Sequence, residues 1–520
     1  MKKLPIITLL LVTSCVRYNP DPVKTPQVER WKSPQEEAAV YADCPEPEQI
    51  LAEAAFHPWW KVYEDPKLTE LEYEAIKESP RVQAAIARLE EAMASYGITR
   101  SALFPQLNLQ VTATRERISQ TQCIGANTQG ANAFSPCGAS TVQMDPSGPC
   151  AICPPPPPPP KPKCKKPNEP NPVINSLGLM PLLTYELDIW GKNWQATQAA
   201  MEQVKAEQED LQNTLLQLTT QVGDTYLRVR SLDKELEVLE RTVRTRQNNY
   251  DLNRSQFKAG IINELAVQQA KSDLENVAAE IEETKRLRAL EEHKLAELVG
   301  SPASLFMLEP TLAMPQLPAI KPGMPSSMLE RRPDIRQARD LIEAARLNVG
   351  VAKTAYFPDF TLSLGYGFYS CKADDLFKWK SRTWLAAVDA VMPLFTAGRI
   401  ASQIEQAVAQ YKQSVAGYLE TVLVAFQQVE DALFSIDATK KRLEHLRLDV
   451  AASKKAYEIA DQRYRMGLET YLTVVNTERT LLDVERVEIQ VTRAQYSNII
   501  SLINSLGGCW HEENLPTLAN

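Results

Sequence analysis

The residues best equipped for chemistry in this chain are its nine cysteines. Cys150-x-x-Cys153 has the spacing of a dithiol couple or of half a tetrahedral metal site. A zinc site needs a second such pair, and none stands at zinc spacing. His57, His293, His445 and His511 are scattered without partners at ligand spacing, so no metal site is expected. A redox couple needs a βαβ setting, which is absent. No Ser, His and Asp form a nucleophile motif, and no glycine-rich loop is built for phosphate. The sequence thus predicts neither an enzyme nor a bound cofactor. Cys123, Cys137, Cys150, Cys153 and Cys164 instead crowd into residues 117–172 beside the run Pro154 to Pro160. Consecutive prolines favour polyproline II, a stiff spacer. Disulfides fit these cysteines better than metal. Cys371 lies in a second loop, Ser370 to Arg382. If the two loops share one end of the molecule, Cys371 brings the local set to six, leaving Cys44 and Cys509 as a candidate separate pair. The connectivity stays open.

The disulfide reading requires export. Lys2 and Lys3 precede an apolar run, Leu4 to Val12, too short to cross a membrane and of signal-peptide length. The run ends Val12-Thr13-Ser14-Cys15, which resembles a bacterial lipoprotein signal. On that resemblance residues 1–14 are a signal peptide, Cys15 carries a covalent lipid, and residues 15–57 are a lipidated leader. One lipid anchors only marginally, so a second membrane attachment is expected. Val16 is not Asp, which by the same resemblance points to the outer membrane. A net charge of −8 argues against nucleic acid as a partner.

The elements that position these residues occur twice. Pro80-Arg81-Val82 and Phe104-Pro105-Gln106-Leu107 recur as Pro333-Asp334-Ile335 and Phe357-Pro358-Asp359-Phe360, at an offset of 253 residues. Gly191-Lys192 and Phe257-Lys258-Ala259-Gly260 recur as Gly398-Arg399 and Tyr464-Arg465-Met466-Gly467, at an offset of 207. Constant offsets within blocks mark a duplicated unit. The first repeat is expected over 58–310, the second over 311–510, with a tail at 511–520. The change of offset locates the insertion between Leu109 and Gly191.

Each copy opens with helix, expected from Asp65 to Leu103 with a break near Pro80 in the first. The period then becomes two: Leu107, Leu109, Val111 and Ala113 alternate with Asn108, Gln110, Thr112 and Thr114. Leu362, Leu364, Tyr366 and Phe368 repeat the pattern. Second strands are expected at Leu177 to Leu187 and Thr383 to Phe395. Tyr366, Phe368, Tyr369 and Trp384 fall near strand ends, where an interfacial aromatic girdle is expected; scattered strand aromatics equally suit packing, and both readings leave them lipid-facing or packed on the barrel. After each hairpin, apolar residues step by 4 and 3 from Leu211 to Val243 and from Tyr418 to Val450, the mark of coiled-coil packing. Gly260 and Gly467 interrupt these rods. Helices resume at Leu265 to Val299 and Leu472 to Leu506.

Four amphipathic strands cannot close a barrel, since about eight is the smallest closed form. Open edges are not tolerated in lipid, so strands that span a membrane must be shared between copies of the chain. The residues now reached resemble a family. Arg331-Arg332-Pro333-Asp334-Ile335, Ala355-Tyr356-Phe357-Pro358, Pro393-Leu394-Phe395-Thr396-Ala397-Gly398-Arg399, Tyr464-x-x-Gly467 and Ser505-Leu506-Gly507-Gly508-Cys509-Trp510 look like the TolC-type outer-membrane efflux proteins. With the lipobox they look like the NodT-type lipoproteins that serve resistance-nodulation-division (RND) pumps. The insertion and leader are departures.

The resemblance implies a mainly α fold with a membrane β-barrel: a homotrimer with 12 strands in one barrel, continuous with a periplasmic α-helical barrel. It implies a passive exit duct for small molecules, partnered by a periplasmic adaptor (membrane fusion) protein and an inner-membrane RND pump. Other members serve protein secretion, and a coiled-coil envelope lipoprotein with no duct is a third reading. On the family pattern the periplasmic tips and adaptor contacts fall at Phe257, Gly260, Ile261, Leu265, Tyr464, Gly467, Leu468 and Leu472. Many members narrow this end with an aspartate about nine residues past the tip glycine. Here Gln269 and Asn476 hold those positions, with Thr473 nearby, so an acidic ring is expected to be absent.

Overall fold

The computed structural model describes residues 18–20, 22–23, 59–117, 173–315, 317 and 331–508. Cys15, the signal segment and most of the leader lie outside them, as do the insertion beyond Arg117 and the tail. So do Cys44, Cys123, Cys137, Cys150, Cys153, Cys164 and Cys509. Cys371 is described, and it is disulfide-bonded.

The chain divides into two compact units that cut across the repeat boundary. One takes Gly97–Thr197 and Gly350–Ile404; the other takes Tyr18–Tyr96, Gln198–Val349 and the residues from Glu405 on. Each draws the same parts from both copies.

The first unit is a four-stranded antiparallel sheet in the order β1-β2-β3-β4. Its strands are β1 (Gln106–Arg117), β2 (Val173–Leu187), β3 (Asp359–Ser370) and β4 (Arg382–Val391). β1 and β3 keep the sequence offset at both ends. β2 starts at Val173, before the expected Leu177. β4 stops at Val391, short of the expected Phe395, because Pro393 has no N–H to give a ladder. Among the described residues β1 and β4 each have one unpaired edge.

Pairing sorts the side chains onto two faces. Leu107 opposes Leu183, which opposes Leu364, and Trp384 opposes Tyr366 on the same side. This face is open: Leu107, Leu109, Val111, Trp384 and Val388 are all exposed. The other face is covered only at its centre, on β2 and β3, where Gly178, Met180, Gly365 and Gly367 are buried. Met180 is 4% exposed, and Tyr369 lies over its partner Gly178 so closely that an added Cβ would meet the ring at 2.5 Å. Tyr369 therefore packs on the covered face, away from Tyr366, Phe368 and Trp384.

The strands hand over to helices through Asp188, whose carboxylate accepts from the N–H groups of Asn193 (3.2 Å) and Trp194 (2.7 Å). Two free donors at a helix start are thus satisfied. The Trp190 ring stacks on Phe357 at 4.8 Å, and its Nε1 donates to the Pro358 carbonyl at 2.9 Å, tying the two copies together.

The helices are α1 (Pro66–Glu78), α2 (Pro80–Ser101), α3 (Lys192–Lys258), α4 (Glu264–Val299), α5 (Pro333–Thr354), α6 (Arg399–Arg465) and α7 (Tyr471–Ser505). The break at Pro80 is the one expected, since Ser79 is pushed to an extended conformation by the following proline. Asp65 caps α1 by accepting from Lys67 and Leu68 N–H groups, and its other oxygen accepts from the Tyr226 hydroxyl at 2.7 Å. α3 and α6 have 67 residues each, about 100 Å of helix.

In the second unit the 4-3 seam is the core. Leu211, Leu215, Leu218, Val222 and Val229 of α3 pack with Trp59, Tyr63, Leu298 and Ile500. Val422, Ala425, Val429 and Ala432 of α6 pack with Ile335 and Leu502. Each fully buried leucine supplies about 1.5–3 kcal/mol of transfer free energy. Arg332, of the Arg-Arg-Pro motif, donates to the Ser505 carbonyl (2.8 Å) and to Gln428 (3.0 Å), binding α5 to α6 and α7. The segment joining the repeats is held by charge: Asp233 takes Arg288 (2.6 Å) and Arg230 (3.2 Å), and Arg288 reaches the Leu308 carbonyl at 2.8 Å.

Candidate functional site at the helical turns

The sequence places function at the two turns, α3 to α4 and α6 to α7, and both are built alike. Gly260 (φ 74°) and Gly467 (φ 77°) adopt the left-handed conformation that a Cβ disfavours. The Gly260 N–H donates to Phe257 O (2.9 Å) and the Ile261 N–H to Gln256 O (3.0 Å). In the second turn Gly467 donates to Tyr464 O (2.8 Å) and Leu468 to Arg463 O (2.9 Å). The long closing bond is that of a Schellman stop, which satisfies carbonyls the helix leaves free.

The side chains differ. Asn263 caps α4 by accepting from the Ala266 N–H at 3.3 Å. Thr470, its counterpart, makes no such cap; its hydroxyl meets that of Thr473 at 3.1 Å. The Thr473 hydroxyl also donates to Glu469 (3.1 Å), which pairs with Arg463 at 3.5 Å. Tyr464 crosses to α3, its hydroxyl standing 3.1 Å from Asn253 Oδ1 and 3.2 Å from Gln256 Oε1. Its ring contacts Tyr471, which packs with Ala270 and Val475. Phe257, Ile261, Leu265, Leu468 and Leu472 are exposed, an apolar rim on both turns. Gln269 and Asn476 are exposed on the second turns of α4 and α7.

Behind the turns lies a charged cluster that the sequence reading passed over. Arg246 is 4% exposed, donates to the Asp273 carbonyl at 2.8 Å and sets its Nε 3.4 Å from Glu478. Arg479 pairs with the Asp273 carboxylate at 3.3 Å. Burial pushes Glu478 up to about 7, against the pull of Arg246. A signal was present. The 4-3 series of α3 runs on past Val243 to Arg246, Tyr250 and Asn253, and Arg246 and Asn253 are buried. Polar residues at seam positions fix register at a cost in stability.

No group of three His, Cys, Asp or Glu suited to a metal ion occurs among the described residues. No described helix is long and apolar enough to cross a membrane, which bears on helices alone.

Known proteins share this architecture. A family model described as outer membrane efflux protein matches residues 71–301 and 324–508. The toluene efflux pump outer membrane protein TtgC of Pseudomonas putida is 27% identical over 461 residues, 88% of this chain and 87% of that one. The pyoverdine export outer membrane protein OpmQ of Pseudomonas aeruginosa is 26% identical over 462 residues, 88% of each. The crystal structure of the outer membrane protein VceC from Vibrio cholerae superposes with a TM-score of 0.73 at 26% identity, covering 86% of this chain and 98% of that one. With the paired turns, the duplicated rods and the four-stranded sheet, these matches make the chain a member of the outer membrane efflux protein family.

Proposed function

We propose that the protein is the exit duct of a tripartite efflux system, a homotrimer whose sheets close one 12-stranded barrel and whose rods form a periplasmic α-helical barrel. The observation that carries this reading is the sheet: among the described residues, four strands, two unpaired edges, and an open face of exposed Leu, Val and Trp. Such a sheet is stable in lipid only when its edges are joined to those of further copies. The duct is passive and not an enzyme. One relative is named for toluene efflux and another for pyoverdine export, so small organic molecules are the proposed cargo. An inner-membrane RND pump supplies energy, and a periplasmic adaptor docks on the apolar rim of Phe257, Ile261, Leu265, Leu468 and Leu472. Cys15 carries the lipid, and Gln269, Thr473 and Asn476 line an uncharged constriction.

Detergent extraction from outer membranes followed by native mass measurement tests the assembly, with dye accumulation in a deletion strain as the functional arm. A trimer and raised accumulation are expected. A soluble dimeric rod, or a deletion strain with unchanged accumulation, would sink the proposal.

A further inference from the structure

The open face of the sheet ends in a charge pattern that conduction does not use. On β1 this face reads Leu107, Leu109, Val111, Ala113, Arg115 and Arg117; on β4 it reads Val388, Ala386, Trp384 and Arg382. All three arginines stand at the end bearing the strand-connecting loops, and all three are exposed. No Asp or Glu lies on this face of any described strand: Glu116, Glu186, Asp359 and Asp389 alternate onto the opposite face.

The aromatic and basic groups of the β3–β4 connection gather at the same level. The Arg382 guanidinium lies over the Trp379 ring, 3.9 Å from its centroid, while Phe377, Trp379 and Trp384 are about 70% exposed. Lys372 and Lys380 are exposed there too, and Lys378 is paired with Asp375. Among the described residues no carboxylate pairs with Arg115, Arg117, Lys380 or Arg382. Arg115 lies about 27 Å along the strand from Leu107 at roughly 3.4 Å per residue, a rise of about 20 Å at the tilt of barrel strands, which approaches the height of an outer-membrane apolar band, about 25 Å.

We propose that this edge binds the phosphate groups of a phosphorylated lipid in the outer leaflet. Guanidinium forks match phosphate oxygens in pairs, and exposed tryptophans settle at headgroup level. The cations stand at one height on the two outermost strands, each next to exposed apolar surface. A free anion would have no enclosure there, whereas a lipid satisfies the cation with its headgroup and the leucines with its chains. Closure of β4 on β1 of another copy would set the two arginine groups side by side. The proposal rests on the outer-membrane location and is independent of pump and cargo.

The test uses the full-length protein in phosphatidylcholine nanodiscs doped with lipid A or with its dephosphorylated form, re-extracted in detergent, the retained lipid being counted by mass spectrometry. The wild type should retain the phosphorylated form roughly tenfold better or more, with 10 mM inorganic phosphate failing to displace it. The triple variant Arg115→Gln, Arg117→Gln, Arg382→Gln should lose that preference, and the corresponding triple Arg→Lys variant should keep part of it, which carries the test if the first variant misassembles. Equal retention of both lipids, an unchanged Gln variant, or displacement by inorganic phosphate overturns the proposal. Failure of the wild type to enter any nanodisc overturns the membrane location along with it.

Discussion

The two helical turns share one backbone and are fastened in different ways. At the first, the local sequence suffices: Gly260 makes the stop and Asn263 caps the next helix. At the second, Gly467 makes the same stop, but Thr470 caps nothing and the turn is tied to the first hairpin through Tyr464 and, deeper, through Arg246 and Glu478. Duplication therefore preserved the fold of the turn and not its anchorage. The first turn is capped from its own sequence, whereas the second is held to the first hairpin by the polar contacts of Tyr464 and Glu478 and by the packing of Tyr471 and Val475 on Ala270.

The contrast is open to attack, most strongly at Arg246. Arg246→Ala leaves Glu478 buried opposite no cation, a loss of about 3 kcal/mol, and thermal unfolding should register it; a change near zero would mean that the cluster does not hold the second hairpin. Glu478 adds a pH dependence. Its pKa is raised above the ordinary carboxylate value to about 7. The folded state thus favours the protonated form, and its contribution is complete below about pH 4.5 and fades as pH rises to 7. Glu478→Gln should flatten the fall in melting temperature across that window, and an unaltered slope would assign it to other groups.

Next in size are the glycines. Gly260→Val and Gly467→Val each force a β-branched residue into a left-handed conformation, costing about 2 kcal/mol. Equal losses in melting temperature are expected, since the backbones match; a large loss at only one turn would break the equivalence. Asn263→Ala should cost about 1 kcal/mol, while Thr470→Ala should fall within about 0.5 kcal/mol of zero. Equal effects by denaturant titration would remove the difference in capping. The smallest effect on stability belongs to Asn476→Asp, an exposed substitution, but single-channel recording should show stronger cation selectivity and divalent block than in the wild type. Identical currents would place Asn476 outside the constriction.

The architecture could be read from the sequence wherever a local rule acts alone. Pro80 and Pro333 open helices, Gly260 and Gly467 end them, and strict alternation marks β1 and β3. Strand ends were less legible: β2 extends by pairing with β1 back to Val173, which a partner decides and a propensity does not. Residue type leaves Tyr369 open between girdle and packing; strand parity decides for packing, over Gly178. Of the candidate site, the glycines and the apolar rim were visible. Arg246, Asn253 and Glu478 were not, because a polar residue on a long helix reads as solvated until the 4-3 count is carried past the last valine.

The equal length of α3 and α6 also bears on stoichiometry. Each chain presents two turns with the same backbone bonds, so a closed trimer would present six such turns, alternating in their side chains. A partner that grips the glycine stops and the apolar rim meets six equivalent seats around the ring. One that distinguishes Asn263 from Thr470, or Gln269 from Asn476, meets three. The saturating ratio of the proposed adaptor to the duct is therefore a direct report on whether recognition reads the duplicated backbone or the side chains that diverged upon it.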